Sequence, residues 1–198
     1  MSTRPRGLVL NGTSSAGKSS LARALQDRWD TPLVDGGLDR HLAQLPRRYL
    51  GADWPEIYTY RYSADGTIDQ ITVGPVGRRL YRAMHRSAAA SAECGLDVVL
   101  DHVLLDRESA VELARSLHCV PAALIGVRCD EPVLSQREAQ RAERTLGQAA
   151  AQLPIVHAHG AYDLVVDTAT LDVDQAADAV MRWVESGPDL TALERLRS

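Results

Sequence analysis

Residues 8–20, LVLNGTSSAGKSS, place small polar residues and one lysine directly after an apolar run. Gly12, Gly17, Lys18 and Ser19 fit the spacing G-x-x-x-x-G-K-[ST], the pattern of a phosphate-binding loop. Phosphate oxygens need several backbone N–H groups that converge on one point, and small side chains leave those groups accessible. A helix that begins at the loop adds its free N–H groups and the positive end of its dipole. The stretch therefore predicts a site for nucleotide phosphates.

The residues of this loop have separate predicted roles. Lys18 places a positive charge at the outer phosphates, and the Ser19 hydroxyl is a predicted ligand of Mg²⁺. The alternative is an ordinary Gly/Ser turn that happens to precede a lysine. Such a turn does not explain why a predicted strand comes before the loop and a predicted helix after it. The predicted nucleotide contacts are Gly12, Thr13, Ser14, Ser15, Ala16, Gly17, Lys18, Ser19 and Ser20.

Three aspartates follow other predicted strands. Asp101 ends the apolar run DVVLD, which favours a second Mg²⁺ ligand over a capping or turn residue. Transfer of a phosphoryl group to an alcohol also needs a base near the hydroxyl. Asp35 and Asp39 both follow the second predicted strand and are candidates for that base. Their spacing does not separate them, because Asp39 also fits the first turn of a short helix.

Three arginines share one face of the predicted helix 131–153. Arg137, Arg141 and Arg144 stand at i, i+4 and i+7 and alternate with glutamates, which is also typical of a salt-bridged solvent face. In proteins with a phosphate-binding loop, the helix after the fourth strand commonly acts as a lid. We therefore expect these arginines to offset charge on the phosphates, with Arg137 at the nucleotide.

Aromatic and histidine side chains are weaker candidates. The tyrosines and tryptophan of the irregular stretch 46–75 either stack on an acceptor molecule or pack in the core, and the sequence leaves both open. These residues are Trp54, Tyr58, Tyr60 and Tyr62. His157 and His159 resemble half of a metal site without further ligands, so we expect a structural role for both. His102, after Asp101, receives no predicted role.

Short apolar runs alternate with helical stretches along the chain. Strands are predicted at 7–11, 31–37, 97–101, 122–129 and 163–168. This alternation predicts an α/β fold of the P-loop NTPase type, a five-stranded parallel sheet with helices on both faces. We expect one kinase domain over 1–187, with a helical lid at 131–153, an acceptor-pocket insertion with a hairpin at 46–75, and a C-terminal tail at 188–198 that frays.

Composition limits the class of protein. The 198-residue chain carries a net charge of −4, which argues against a broad basic face for nucleic acid. The N-terminal apolar run is too short for a signal peptide, and no stretch approaches the roughly 20 apolar residues of a membrane span. We therefore expect a cytoplasmic protein without a membrane partner. The three cysteines Cys94, Cys119 and Cys129 are expected to be buried thiols. The oligomeric state stays open, a homo-oligomer included.

The chain resembles the chloramphenicol phosphotransferase family of small antibiotic kinases. The resemblance rests on LNGTSSAGKSS, GLD ending at Asp39, VVLDHVLLD, GVRCDEPVLSQREAQRAERTLGQAAAQ, VH at 156–157 and YDLVVDT. It implies ATP-dependent phosphorylation of a hydroxyl on a small antibiotic. It also implies that Asp39 is the general base, that Arg141 and Arg144 are lid arginines at the phosphates, and that Asp101 is the acidic residue closing the third strand.

The acceptor stays open because the stretch 47–75 is longer and richer in aromatic residues than the family pattern. A kinase of another small metabolite, of the shikimate or adenylylsulfate type, is one alternative. A nucleotide-binding regulator that signals through a partner is another.

Overall fold

The computed structural model describes residues 4–140, 147–160 and 162–198. The strands in these ranges are β1 Gly7–Asn11, β2 Leu33–Asp35, β3 Tyr58–Tyr62, β4 Ile68–Val73, β5 Asp97–His102, β6 Ala122–Arg128 and β7 Leu164–Asp167. The helices are α1 Lys18–Arg28, α2 Leu38–Leu42, α3 Pro75–Glu93, α4 Arg107–Ser116, α5 Glu131–Ala139, α6 Gln148–Val156, α7 Val173–Glu185 and α8 Ala192–Arg197. Two short 3-10 turns, Arg47–Leu50 and Trp54–Glu56, lie between α2 and β3.

Five strands form a parallel sheet in the order β2-β5-β1-β6-β7. The central strand β1 is buried along its whole length, and its Leu10 pairs with Asp101 on one side and Ile125 on the other. Strands this apolar require cover on both faces. The predicted α/β class with a five-stranded parallel sheet is confirmed.

Successive residues of the sheet face two separate cores. Leu8 and Leu10 pack in one core with α1 and α7, whereas Val9 points into the other with α3, α4 and α8. This alternation follows from the two-residue period of a strand. Because both faces are covered, polar chemistry is confined to the carboxyl edge of the sheet, where the loops after β1, β2 and β5 meet.

The hairpin expected in 46–75 is present as a separate two-stranded antiparallel sheet. Tyr58 pairs with Val73 and Tyr60 with Ile71 across β3 and β4. The hairpin is held against the start of α3 at Gly77, where an added Cβ would lie 2.4 Å from the Ile57 carbonyl oxygen. Only glycine fits this contact, so the position of the hairpin relative to α3 is fixed.

Two sequence-based expectations about helices are wrong. The predicted continuous helix 131–153 is interrupted, since α5 ends at Ala139 and α6 begins after Gly147, whose φ of 83° is left-handed. The C-terminal tail does not fray in the structure. It forms α8, whose Leu193 and Leu196 are buried against α4 and β6. The spacing of apolar residues within this segment does not show that α4 and β6 are available to pack against it.

The expectation of three buried thiols is also wrong. Cys129 is buried directly after β6, but Cys94 is exposed at the C-terminal end of α3 and Cys119 is exposed in the connection between α4 and β6. Among the described residues, no helix has the length and apolar character needed to cross a membrane.

We predict that Leu193→Ala lowers the free energy of unfolding by about 2–4 kcal/mol, because it empties a buried site under α8. Urea unfolding of the two proteins measures this difference. Glu194→Ala, at the exposed neighbouring position of the same helix, is the matched control and should change stability by less than about 0.5 kcal/mol. Equal stability of Leu193→Ala and the control would show that α8 does not contribute to the core.

Candidate active site

The loop between β1 and α1 has the backbone geometry that its glycines allow. Gly17 has a φ of 88° and Ser15 a φ of 61°, both left-handed, and they turn the chain so that α1 begins at Lys18. An added Cβ on Gly12 would lie 2.3 Å from the Val127 carbonyl oxygen. The loop therefore lies directly on β6 and depends on glycine at this contact.

Lys18, Ser19 and Asp101 meet at the base of this loop. The Lys18 ammonium, only 5% exposed, donates to the Thr13 carbonyl at 2.7 Å and lies 3.5 Å from Asp101 Oδ1. The Ser19 hydroxyl donates to Asp101 Oδ2 at 2.5 Å. One carboxylate thus contacts both the lysine and the serine of the motif. A hydroxyl and a carboxylate side by side are oxygen ligands that suit Mg²⁺.

The structure distinguishes the two aspartates that the sequence left equal. Asp35 Oδ2 accepts a hydrogen bond from Arg40 Nε at 2.8 Å, and its Oδ1 accepts from the Gly37 amide at 3.0 Å. Asp39 lines the large cavity beside the loop and has no side-chain hydrogen bond within the described ranges. Gly37 brings the start of α2 against β5, since an added Cβ there would lie 3.1 Å from Asp101 Cβ. Asp39 is therefore the available carboxylate.

The large cavity has a volume of about 760 Å³. Its lining includes Lys18 and Ser19 at the start of α1, Asp101 at the end of β5, and Asp39 in α2. The rest of α2, the 3-10 turns and the hairpin contribute apolar and aromatic lining, from Leu38, Leu42, Leu50, Trp54, Tyr58 and Tyr60.

Three of the four candidate aromatic residues reach this cavity, and they also pack among themselves. The Trp54 and Tyr58 rings lie 5.5 Å apart, and the Tyr58 hydroxyl hydrogen-bonds that of Tyr81 at 2.9 Å. Burial raises the pKa of Tyr58 well above its usual value, so its hydroxyl stays protonated. Tyr62 is 54% exposed and does not line the cavity, so its proposed stacking on an acceptor is not supported.

A second cavity of about 420 Å³ lies on the other side of the loop. Ser15 and Gly17 line both cavities, so the loop forms the boundary between them. Arg137 lines the second cavity and is fixed there, since its Nη2 donates to the Thr168 carbonyl at 2.8 Å. Arg141 and Arg144, predicted to share a helix face with Arg137, lie outside the described residues.

Two residues at this site were missed by sequence reasoning. Gln152 in α6 accepts a hydrogen bond from the Ser14 backbone N–H at 2.6 Å. Glu138 in α5, 4% exposed, accepts from the Gly147 and Ala149 amides at 2.7 and 3.0 Å, which joins the start of α6 to α5. The spacing of Gln148 and Gln152 places both on one helix face, but nothing local relates them to a loop more than a hundred residues earlier.

The histidines form hydrogen-bonded clusters behind the loop. His102 and His85 are fully buried with their Nε2 atoms 2.8 Å apart, and His85 Nδ1 contacts the Glu112 carboxylate. Burial lowers the pKa of His102 well below its usual value, so it is neutral.

His157 contacts the end of β1 through Tyr162, whereas His159 Nε2 lies 3.0 Å from Asn11 Nδ2. Asn11 Nδ2 donates to the Tyr162 hydroxyl at 2.7 Å, and that hydroxyl is hydrogen-bonded to His157 Nδ1 at 2.6 Å. The side-chain oxygen Oδ1 of Asn11 accepts a hydrogen bond from the Leu104 amide at 2.9 Å. These contacts tie the end of α6 to β1, as expected for a structural role. In the described ranges, no group of three or more His, Cys, Asp or Glu residues is arranged to hold a metal ion.

Comparison with known proteins identifies relatives over nearly the whole chain. The family model described as chloramphenicol phosphotransferase-like protein matches residues 6–185. A Mycobacterium tuberculosis H37Rv protein named "Putative O-phosphotransferase Rv2636" is 32% identical over 206 residues, which cover 100% of this chain and 91% of that protein.

Solved structures of small kinases share the fold. An unliganded sugar kinase from Janibacter sp. HTCC2649 has a TM-score of 0.66 at 15% identity, covering 93% of this chain and 99% of its own. The Mycobacterium tuberculosis APS kinase in complex with AMPPNP and APS has a TM-score of 0.61 at 16% identity, covering 92% and 98%. At these identities, the likeness shows the fold alone.

We predict that stability falls as the pH is lowered from about 6.5 towards 4. Burial, with Arg128 nearby, lowers the pKa of His157 to about 4, and burial also lowers the pKa of His159. As the pH falls through the range between the unfolded and folded pKa values, the unfolded chain binds protons that the folded chain does not. Urea unfolding across this range should show that the free energy of unfolding falls more steeply with decreasing pH for the unsubstituted protein than for His157→Gln. Identical slopes of the free energy of unfolding against pH would contradict the lowered pKa of His157 in the folded protein.

Proposed function

Because the chain belongs to the chloramphenicol phosphotransferase-like family, we propose that it is an ATP-dependent O-phosphotransferase that phosphorylates a hydroxyl of a small antibiotic or related metabolite. Inactivation of an antibiotic, or self-resistance to one, is the proposed role. The observation that carries the proposal is the placement of Asp39 and Lys18 on one cavity. One cavity is therefore lined by a carboxylate that can accept a hydrogen bond from an alcohol and by a cation that can bind a phosphate.

The donor side of the proposal uses the two cavities and the loop between them. The nucleoside would lie in the smaller cavity beside Arg137, and the phosphates would cross the loop at Ser15 and Gly17. Ser19 and Asp101 fit Mg²⁺ in the usual way, as one hydroxyl and one carboxylate alongside phosphate oxygens and water. Bound there, Mg²⁺ would offset the negative charge of the phosphates.

The acceptor side supports an uncharged molecule with an apolar ring. Among the described lining residues, the charged side chains of the larger cavity are Lys18 at the start of α1, Asp101 at the end of β5 and Asp39 in α2. The lining from α2, the 3-10 turns and the β3–β4 hairpin, here called the acceptor wall, is aromatic and aliphatic apart from Asp39, and its described residues include no cation. A carboxylate or sulfate placed against that wall would lose its hydration without gaining a partner. This disfavours acceptors of the shikimate or adenylylsulfate type.

The proposed mechanism follows from these positions. Asp39 accepts a hydrogen bond from the acceptor hydroxyl and orients its oxygen towards the terminal phosphate. As the new bond from this oxygen to phosphorus forms, the bond from phosphorus to the bridging oxygen of ADP breaks, ADP leaves with that electron pair, and Asp39 takes the hydroxyl proton. Because the transition state is loose, the hydroxyl loses its proton late, and the main contribution of Asp39 is orientation. Lys18 stabilises the charge on the phosphate oxygens, and we propose the same for Arg141 and Arg144.

The proposal predicts that one phosphoryl group is added to a neutral hydroxylated aromatic compound, chloramphenicol included, in the presence of ATP and Mg²⁺. Mass spectrometry of a compound panel measures the gain. Shikimate, gluconate and adenylylsulfate serve as anionic comparisons, and the Lys18→Ala protein is the enzyme control. Phosphorylation of only the anionic compounds would overturn the acceptor proposal. Nucleotide binding without transfer to any compound would favour a regulatory protein.

Two matched aspartate variants test the base. We predict that Asp39→Asn retains nucleotide binding but lowers kcat by about 100-fold or more, because the hydroxyl loses its hydrogen-bond acceptor and its base. Asp35→Asn removes a carboxylate only four residues away that is engaged with Arg40, and should change kcat by less than about threefold. Steady-state kinetics with the best acceptor from the panel provides the comparison. The reverse order of effects would assign the base to Asp35.

A further inference from the structure

Gln152 accepts a hydrogen bond from a backbone N–H of the phosphate-binding loop, a group that binds phosphate in this motif. Its side chain is 2% exposed and lines the larger cavity, and its oxygen lies 2.6 Å from the Ser14 backbone nitrogen. A backbone N–H only donates, so the Gln152 carbonyl must face the loop. A side chain of α6 therefore occupies a position where a phosphate oxygen would be bound.

The cavities indicate which phosphate would meet this amide. Ser15 and Gly17 line both cavities, whereas Ser14 lines only the larger one. With the nucleoside in the smaller cavity and the acceptor in the larger, the phosphate on the Ser14 side is the terminal one. This step rests on the proposed function, because it assumes that a nucleotide lies across the loop.

We propose that Gln152 is a positioning residue that distinguishes a nucleoside triphosphate from a diphosphate. When the terminal phosphate takes the Ser14 N–H, the Gln152 carbonyl releases it, and the side-chain amide turns so that its NH₂ donates to a phosphate oxygen. A primary amide carries an acceptor and two donors at one end, so one side chain serves both states. A diphosphate does not reach Ser14 and leaves the Gln152 bond intact.

The surroundings of Gln152 connect this exchange to the rest of the site. The start of α6 is joined to α5 by Glu138, through the Gly147 and Ala149 amides. The same helix packs against β4, the partner of the strand that carries Tyr58 and Tyr60 on the acceptor wall. A terminal phosphate that displaces Gln152 therefore acts on a helix in contact with the acceptor side.

The test compares affinities for a non-hydrolysable ATP analogue and for ADP, both with Mg²⁺, by isothermal titration calorimetry. Gln152→Glu keeps an acceptor for the Ser14 amide but cannot donate and adds a negative charge. It should weaken analogue binding by about 10- to 100-fold and ADP binding by less than about threefold. Gln152→Met removes both functions and should weaken analogue binding by about 3- to 10-fold, with ADP unchanged.

Gln148→Glu is the matched control, because it adds the same charge one turn earlier on α6 and lines the same cavity. It reports the effect of the added charge alone, so its change in the ratio of the two affinities should be at least about threefold smaller than that of Gln152→Glu. Thermal unfolding checks that each variant is folded, and Gln152→Met decides the matter if Gln152→Glu is not. An equal loss for both nucleotides, or an unchanged ratio, would overturn the inference alone. If the unsubstituted protein binds neither nucleotide, the proposed function fails as well.

Discussion

The electrostatic balance between Lys18 and Asp101 is the constraint on which the site depends. A lysine that is 5% exposed needs a partner, because an ammonium removed from water without one is strongly unfavourable. Asp101 provides a carboxylate 3.5 Å away, and the Thr13 carbonyl accepts a hydrogen bond from the same ammonium. The same carboxylate accepts from Ser19. The first turn of α1 is thereby fixed to the end of β5.

The order of the strands makes this balance possible. Because β1 lies between β5 and β6, the loop that follows it is bounded on one side by Asp101 and on the other by the carbonyl of Val127. The parallel register ends β1 and β5 at the same level, with Asn11 opposite His102. A residue at the end of β5 therefore reaches the start of α1 without any distortion of the sheet.

The sequence predicts those features of the fold and the site that depend on neighbouring residues or on short, regular spacings. The loop, its glycines and the strand–helix alternation all follow from local spacing, since each involves neighbours in the chain. The sequence does not predict the interruption at Gly147, the burial of α8, or the pairing of Gln152 with Ser14. Each of these is decided by packing between distant segments, and for Gln152 the only local signal is its spacing from Gln148. Local spacing does not separate Asp35 from Asp39. The family resemblance implies Asp39, and in the structure Arg40 engages Asp35.

The two sides of the site are built from different parts of the fold, which bears on how acceptor choice is determined. Lys18, Ser19 and Asp101 are held by the parallel sheet and α1, whereas the acceptor wall comes from α2, the 3-10 turns and the β3–β4 hairpin. The hairpin is a separate sheet that meets α3 at the contact between Gly77 and Ile57. Residues that face the cavity from this wall make no hydrogen bond to the loop within the described ranges. A change of side chain there alters the shape presented to an acceptor and leaves the phosphate-binding backbone in place.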